Sequence, residues 1–162
     1  MKGSRGMSLI LPNSSVALII HSGWETVYMI SEKIPKPQIG KKLGDLSFPW
    51  ESQEPEETDE QALHRLLQEE VDQHGDLRIS EPRILCALSV HGVATRCYVA
   101  CYRGGSQDTW GTHAGIEYDP LGFQSLEILR GTKPRRDGID PMFQSFLAEK
   151  ERRAERGPRA GY

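Results

Sequence analysis

The sequence lacks an apolar run long enough to cross a lipid bilayer, which requires roughly 20 consecutive residues. The apolar stretch near the N-terminus is interrupted by polar and turn-forming residues at positions 12–15. Such an interruption is untypical of a signal peptide. Met7 is a candidate for the native start, which would make residues 1–6 an upstream extension. We therefore expect a cytoplasmic protein that does not interact with a membrane.

Cysteine is also scarce, and the three that occur are Cys86, Cys97 and Cys101. An odd number of cysteines cannot all pair within one chain, and their spacing matches no zinc-binding motif. We expect three reduced thiols packed inside the protein, as is usual in the cytoplasm.

An excess of positive charge is absent as well. Lysine and arginine together number 20, aspartate and glutamate 23, and the net charge is −3. Proteins that bind nucleic acids in general are usually basic. A nucleic-acid partner is therefore not expected from the charge.

The composition fits one globular domain. With 162 residues, 37% of them hydrophobic, the chain can bury a full core without disulfides or structural metals. No internal repeat is visible. We predict an N-terminal extension at residues 1–8, a single domain at residues 9–148, and a charged, flexible tail at residues 149–162, where glycine and proline recur.

The order of the predicted elements indicates a mixed β-sheet with helices packed on it. Strand-like patterns occur at residues 15–21, 25–30, 83–90 and 95–102. The last two patterns flank His91-Gly92 and predict a hairpin. One helix is predicted from Thr58 to Gly75, and a second is predicted to be capped by Asp140. This alternation is typical of the α/β (α+β) class.

The central helix contains a carboxylate in an apolar position. Thr58 and Gln61 form a capping box at its start. On a helical wheel, Glu70 lies in the middle of the arc formed by Ala62, Leu63, Leu66, Leu67 and Val71. A carboxylate there costs on the order of several kcal/mol unless it is paired, protonated or bound to a metal. The alternative is that Glu70 reaches water near a fraying helix end.

Residues 48–72, FPWESQEPEETDEQALHRLLQEEVD, resemble the Nudix box. In that motif a glycine, a glutamate and an Arg-Glu-aliphatic-any-Glu-Glu run occur at fixed spacing. The residues that match it are Glu57, Arg65, Leu67, Glu69 and Glu70. Downstream, Glu117 followed by Phe123 is similar to a later acid-and-aromatic segment of the family. With the two N-terminal strands and the final helix, the resemblance covers nearly the whole chain.

The resemblance implies a Nudix-like α/β/α sandwich that hydrolyses a nucleoside-diphosphate-linked or related small molecule. It also implies Mg²⁺ or Mn²⁺, because a diphosphate needs a carboxylate-bound cation to neutralise its charge. Glu69 and Glu70 would be ligands, and Glu51 and Glu57 would supply further oxygens from the preceding loop. The implied catalytic residues are Arg65, which orients a carboxylate, Glu69, and Glu117 as a further ligand or base.

Four positions depart from the motif: Glu51, Leu66, Asp72 and Gln73. The departure at Leu66 matters most, because the motif has a glutamate there and a leucine cannot hold a metal. An alternative is therefore a catalytically inactive Nudix-fold module that binds a nucleotide-like ligand, RNA or a protein. A structural subunit without a ligand is a third alternative. A homodimer is a possible assembly.

Several other residues have two interpretations. His113 is interpreted as a loop residue, although a place at the pocket mouth is the alternative. The basic segment with Arg130, Lys133, Arg135 and Arg136 is interpreted as a solvated loop, with phosphate steering as the alternative. Trp50 and Trp110 are expected to pack in the core or a loop, and stacking on a nucleobase is the alternative.

Overall fold

A computed structural model describes residues 13–106 and 111–156. The predicted extension at residues 1–8, residues 157–162 of the predicted tail and Trp110 lie outside the described residues. Within those two ranges, no helix has both the length and the apolar character that a membrane span requires.

The described residues form eight strands and two main helices. The strands are β1 (Ser14–Ser22), β2 (Thr26–Glu32), β3 (Leu46–Ser47), β4 (Trp50–Ser52), β5 (Arg78–Ile79), β6 (Arg83–Val90), β7 (Val93–Gly104) and β8 (Tyr118–Ser125). The helices are α1 (Asp59–Leu66), which continues as a π-helical turn (Leu67–Val71), and α2 (Ile139–Arg156). Short 3-10 turns occur at Pro37–Ile39 and Leu126–Leu129.

The strands make one mixed sheet, as the sequence predicts. At its centre β1 pairs in parallel with β7 and antiparallel with β2 and β4. Strand β2 also pairs with β3 and β8, and β7 also pairs with β5 and β6. The β6–β7 pair is the hairpin predicted around His91-Gly92.

Alternating side chains of β1 create two cores, one on each face of the sheet. Ala17 and Ile19 pack with α2, whereas Leu18 and Ile20 pack with α1. Helix α2 contributes Ile139, Met142, Phe143 and Phe146, and α1 contributes Ala62, Leu63 and Leu66. Burial of each leucine, isoleucine, methionine or phenylalanine among them contributes about 1.5–3 kcal/mol. The architecture is therefore the predicted α/β/α sandwich.

The central helix ends earlier than the sequence predicts. Helical structure stops at Val71, and the Asp72 carboxylate then accepts hydrogen bonds from the backbone N–H groups of Asp76 and Leu77, each at 3.0 Å. Gly75 lies in the following turn, so the prediction that it ends the helix is wrong. The Asp72 side chain thus stabilises the turn that follows the helix, at the position where the motif has a glycine.

The C-terminal helix is longer than predicted at both ends. It begins at Ile139, so Asp140 lies in its first turn rather than at the cap. It extends to Arg156, so residues 149–156, predicted to be a flexible tail, are helical. Arg153 is buried there, with its guanidinium over the Trp24 ring at 5.1 Å and its Nε 3.0 Å from Glu149. Although this segment is highly charged, one side of the helix, which carries Arg153, therefore packs against the rest of the protein.

Candidate active site

Helix α1 begins as its capping box predicts, and this start fixes the positions of the residues that follow. The Thr58 hydroxyl accepts the Gln61 N–H at 3.1 Å, and the Gln61 side chain accepts the Thr58 N–H at 2.9 Å. Glu70 then lies in the apolar arc with only 6% of its surface exposed. The interpretation that it reaches water at a frayed end is therefore wrong.

Arg65 organises the carboxylates beside a cleft. The charged residues that line this cleft are Glu32, Lys36, Lys41, Glu51, Glu70, Glu117 and Arg136. Its Nε and Nη2 donate to the two carboxylate oxygens of Glu57 at 3.0 and 2.8 Å, and Nη2 also donates to the Ser52 carbonyl at 2.7 Å. Its Nη1 lies 3.5 Å from both Glu51 and Glu69. These hydrogen bonds lower the pKa of Glu57. Arg65 therefore holds the Glu57 carboxylate and lies between Glu51 and Glu69.

The loop after β7 docks on the end of the central helix. The backbone N–H of His113 donates to the Glu69 carbonyl at 3.0 Å. The Tyr118 hydroxyl donates to the Glu70 carbonyl at 2.6 Å and accepts the Gly111 N–H at 3.0 Å. At Gly111 an added Cβ would lie 2.0 Å from the Glu69 carbonyl oxygen, so only glycine allows this approach. This contact places the side chains of His113 and Glu117 next to the end of the helix.

Three side chains meet where this loop reaches the helix. One ligand atom each from Glu70, His113 and Glu117 lie within 4.8 Å of one another. His113 Nδ1 is 3.1 Å from Glu117 Oε1, 4.0 Å from Glu70 Oε2 and 3.9 Å from Glu69 Oε1. Among the described residues, this buried nitrogen makes no well-directed hydrogen bond. We call these three residues the ligand cluster.

Burial raises the pKa values of two carboxyl groups at the cleft. The pKa of Glu70 is raised to about 8, first by burial and then by the charges of Glu32 and Glu117. The pKa of Glu51 is raised to about 9, first by burial and then by its hydrogen bond with Glu69. Glu51 Oε2 is also buried and has no hydrogen-bond partner in the described part of the chain. The cleft therefore gathers buried carboxyl groups whose ionised forms would be stabilised by a cation.

The same cleft is also lined by cationic side chains, those of Lys41 and Arg136. Lys41 and Arg136 both lie 3.4 Å from the Glu32 carboxylate. Arg136 is buried over the Trp50 ring at 3.8 Å, and burial lowers its pKa. Trp50 in turn donates from Nε1 to the Ser15 hydroxyl at 2.8 Å. Arg136 is therefore not part of a solvated loop, and Trp50 packs in the core, as expected.

The structure brings most of the predicted site residues together, but not all. Glu51, Glu69, Glu70, Glu117 and Arg65 meet at the cleft. Glu57 reaches it only through Arg65, because both of its oxygens accept from the guanidinium. In this structure Glu57 is the partner of Arg65, and its role as a metal ligand stays a prediction.

Sequence reasoning missed Glu32 and Lys41 and underrated His113 and Arg136. One signal was available for Glu32, because it has the same strand parity as Tyr28 and Ile30, which are buried against α1. A glutamate on that face requires a partner. The other three residues lie on connecting segments. No local sequence pattern predicts that these segments contact one another.

Leu66 lies outside the cleft. It is completely buried and packs in the core with Ala62, Leu63 and Val71. The position at which the motif has a glutamate is thus part of the apolar face of α1. The ligand cluster instead recruits His113 and Glu117 from the docked loop.

No family model matches the chain, and no curated protein matches it. Solved structures do. A NUDIX hydrolase from Nitrosomonas europaea is similar at a TM-score of 0.63 and 17% identity, over 88% of this chain and 74% of that one. A MutT NUDIX hydrolase from Burkholderia pseudomallei gives 0.61 and 16%, over 84% and 98%. A C. elegans Ap4A hydrolase gives 0.61 and 16%, over 88% and 99%. The chain therefore has the Nudix fold that its motif predicts.

Proposed function

We propose that this Nudix-fold protein is a hydrolase of nucleoside-diphosphate-linked or related diphosphate compounds and that it depends on a divalent metal. The observation that carries the proposal is the ligand cluster of Glu70, His113 and Glu117, set in a cleft rich in buried carboxylates. The similar solved structures support it, since their names describe hydrolases, one of them of Ap4A.

The residues present fit a divalent cation. Glu70 and Glu117 offer carboxylate oxygens, and His113 offers a buried Nδ1 without a well-directed hydrogen bond within the described chain. Glu51 adds a second buried atom of this kind. Buried polar atoms without partners are rare in native proteins and call for an ion or water. A bound cation would give these atoms a partner.

The combination of two carboxylates and one imidazole favours some divalent metals over others. Carboxylates suit both Mg²⁺ and Mn²⁺, whereas an imidazole nitrogen suits a transition metal better than it suits Mg²⁺. We therefore expect Mn²⁺ to bind more tightly than Mg²⁺. A bound divalent cation supplies positive charge that stabilises the charge developing on the diphosphate oxygens.

The chain's own residues would position the reactants and move the proton. Arg65, fixed by Glu57, holds the carboxylates of Glu51 and Glu69 in place. Glu117 has the most exposed carboxylate of the ligand cluster, at 45% of its side chain, and is the candidate base. Water forms a bond to phosphorus, the phosphorus–oxygen bond to the leaving group breaks, and Glu117 accepts the proton of the water.

The buried Leu66 favours a second candidate function, that of a non-catalytic module binding a nucleotide-like ligand. A carboxylate is missing where the motif has one, and the structure has an apolar core residue there. The two functions differ in turnover rather than in binding. Both predict that a cation binds, but only the first predicts that phosphate or a nucleotide is released.

The two candidates are separated by a turnover screen. Metal-free protein is incubated with dinucleoside polyphosphates and nucleoside-diphosphate-linked compounds, with Mn²⁺, with Mg²⁺ or with EDTA, and the products are followed by chromatography. Hydrolysis of at least one compound that requires the metal supports the enzyme. Ligand-dependent thermal stabilisation without any product from the whole panel would favour the binding module instead.

A further inference from the structure

A second cleft, of about 440 Å³, lies away from the ligand cluster. It is bounded by the end of β1, the connection between β5 and β6, the start of β6, the second half of β7 and the last turns of α2. Its charged and polar lining residues are His21, Ser80, Glu81, Arg83, Arg103, Arg153 and Arg156. We call it the arginine cleft.

The arginine cleft lies on the α2 face of the sheet, at the other end of β1 from Glu51, which lines the first cleft together with Glu70 and Glu117. Glu51 pairs with Val16 near the start of β1, whereas His21 is near its end. At about 3.3 Å per residue, the two positions are separated by roughly 16 Å along the strand. Arg83 pairs with Val99, whose side chain faces the α2 core. The two clefts are therefore separate sites.

Four arginines and one glutamate line this cleft, although the whole chain carries a net charge of −3. Within residues 13–106 and 111–156, Arg83, Arg103 and Arg156 form no ion pair with a carboxylate. Arg153 is paired with Glu149 at 3.0 Å. Three arginines thus line one cavity without an ion pair to a carboxylate of the described residues, and Glu81 is the one acidic residue of the lining. This excess of positive charge favours an anionic ligand.

The pKa of His21 reflects the positive charge of the same arginines. The pKa of His21 is lowered to about 4, first by burial and then by the charges of Arg153, Arg103 and Arg83. The neutral ring accepts the backbone N–H of Trp24 on Nδ1 at 3.1 Å. Its proton is therefore on Nε2, which makes His21 a hydrogen-bond donor at the cleft.

Stabilisation of the helix end does not explain the whole set. Arg153 and Arg156 lie in the last turns of α2, where positive charge favours the negative end of the helix dipole. Arg83 and Arg103 come from β6 and β7 instead, and both are exposed. Two separate parts of the fold, the sheet and the helix end, therefore contribute arginines to the lining of one cavity.

We propose that the arginine cleft binds a small molecule carrying two or more phosphate groups. Guanidinium groups donate two parallel hydrogen bonds to phosphate oxygens, a geometry that lysine cannot match. The volume of about 440 Å³ is in the range of small-molecule sites and exceeds what a single phosphate fills. Ser80 adds a hydroxyl to the lining, with its oxygen accepting the Cys101 N–H at 2.8 Å.

Inorganic triphosphate titrated into the full chain in EDTA, followed by calorimetry, tests the proposal. EDTA removes any divalent cation that could hold the probe at the ligand cluster, and the change in affinity between wild type and variant reports on the arginine cleft. The variant carries Arg83→Ser and Arg103→Ser, both at exposed positions whose change leaves the core intact. The control carries Arg130→Ser and Lys133→Ser, which remove the same charge from another exposed segment. Circular dichroism checks that all three proteins are folded.

We expect the double variant of the cleft to bind triphosphate at least about tenfold more weakly, and the control to lose less than about threefold. Inorganic phosphate should bind more weakly than triphosphate. The proposal is overturned if wild type does not bind triphosphate, or if the two double variants weaken binding equally. Tighter binding of a single-stranded RNA than of triphosphate at this cleft would overturn the small-molecule assignment.

Discussion

The backbone N–H of His113 donates to the backbone carbonyl of Glu69 at 3.0 Å. This hydrogen bond joins the loop after β7 to the π-helical turn that follows α1. Since the same turn carries Glu70, the contact brings His113 and Glu117 to that carboxylate. π-helical turns are frequent at functional sites. The ligand cluster therefore depends on a backbone contact as much as on its side chains.

We expect Gly111→Ala to disrupt the ligand cluster without changing any of its members. The new Cβ would lie 2.0 Å from the Glu69 carbonyl oxygen and 2.4 Å from the Glu70 nitrogen, and backbone atoms cannot move aside cheaply. The loop should shift, at a cost of about 1–3 kcal/mol in unfolding free energy. Denaturant unfolding and Mn²⁺ affinity should both decline.

Gly131→Ala is the matched control for that change. The nearest atom to its added Cβ, apart from its neighbours in the chain, is the Glu127 carbonyl oxygen at 3.8 Å, an ordinary contact. We expect unchanged stability and metal affinity. Equal behaviour of the two alanine variants would show that the loop does not hold the ligand cluster.

Glu70→Gln should abolish metal-dependent hydrolysis while leaving the protein folded. The substitution keeps the size of the buried side chain but removes its negative charge. The rise in melting temperature caused by Mn²⁺ in wild type should also disappear. Glu60→Gln, an exposed change on the same helix, is the control. A rate in Glu70→Gln equal to that of wild type would remove Glu70 from the site.

Leu66→Glu should destabilise the protein and should not increase activity. Leu66 is completely buried among apolar side chains, so a carboxylate there is buried without a partner. We expect a loss on the order of several kcal/mol in unfolding free energy. Leu66→Met, which keeps the volume, should cost less than about 1.5 kcal/mol. Higher hydrolysis in Leu66→Glu together with stabilisation by Mn²⁺ would show instead that the position faces the metal.

The ion pair between Asp59 and Arg96 should make stability depend on pH in the acid range. Hydrogen bonds from Arg96 are the main cause that lowers the pKa of Asp59 to about 2, from an ordinary value near 3.8. Because the folded pKa is the lower one, the contribution is complete above the unfolded value and is lost as pH falls from about 4 to about 2. Melting temperatures between pH 7 and pH 2 measure this loss.

Asp59→Asn should therefore lower the melting temperature at pH 7, and the difference from wild type should vanish near pH 2. Asp76→Asn, at an exposed loop position, should follow wild type throughout. A difference between Asp59→Asn and wild type that is constant with pH would assign the effect to packing rather than to charge.

The parts of the fold that sequence patterns predict are the ones that depend on local interactions. The strand at β1, the capping box at Thr58 and Gln61, and the burial of Glu70 all follow from residues within a few positions of one another. The motif spacing likewise predicts the meeting of Arg65 and Glu69, because it is set by one helix.

The parts that sequence patterns do not predict depend on contacts between distant segments. His113 reaches Glu70 only because Gly111 packs on the helix end, and Arg136 reaches Glu32 across most of the chain. The helical end of α2 was missed for a related reason. Arg153 lies in a segment whose composition is typical of a solvated tail. Its guanidinium nevertheless lies over the ring of Trp24, in the turn between β1 and β2.

The most direct test of the metal-dependent site is a titration of metal-free protein with Mn²⁺, in which electron paramagnetic resonance measures the free ion. Wild type and Glu60→Gln should bind Mn²⁺ with the same affinity. Glu70→Gln should bind it at least about tenfold more weakly, since it loses a charged ligand. Equal affinity in wild type and Glu70→Gln, or no binding to wild type, would contradict the account.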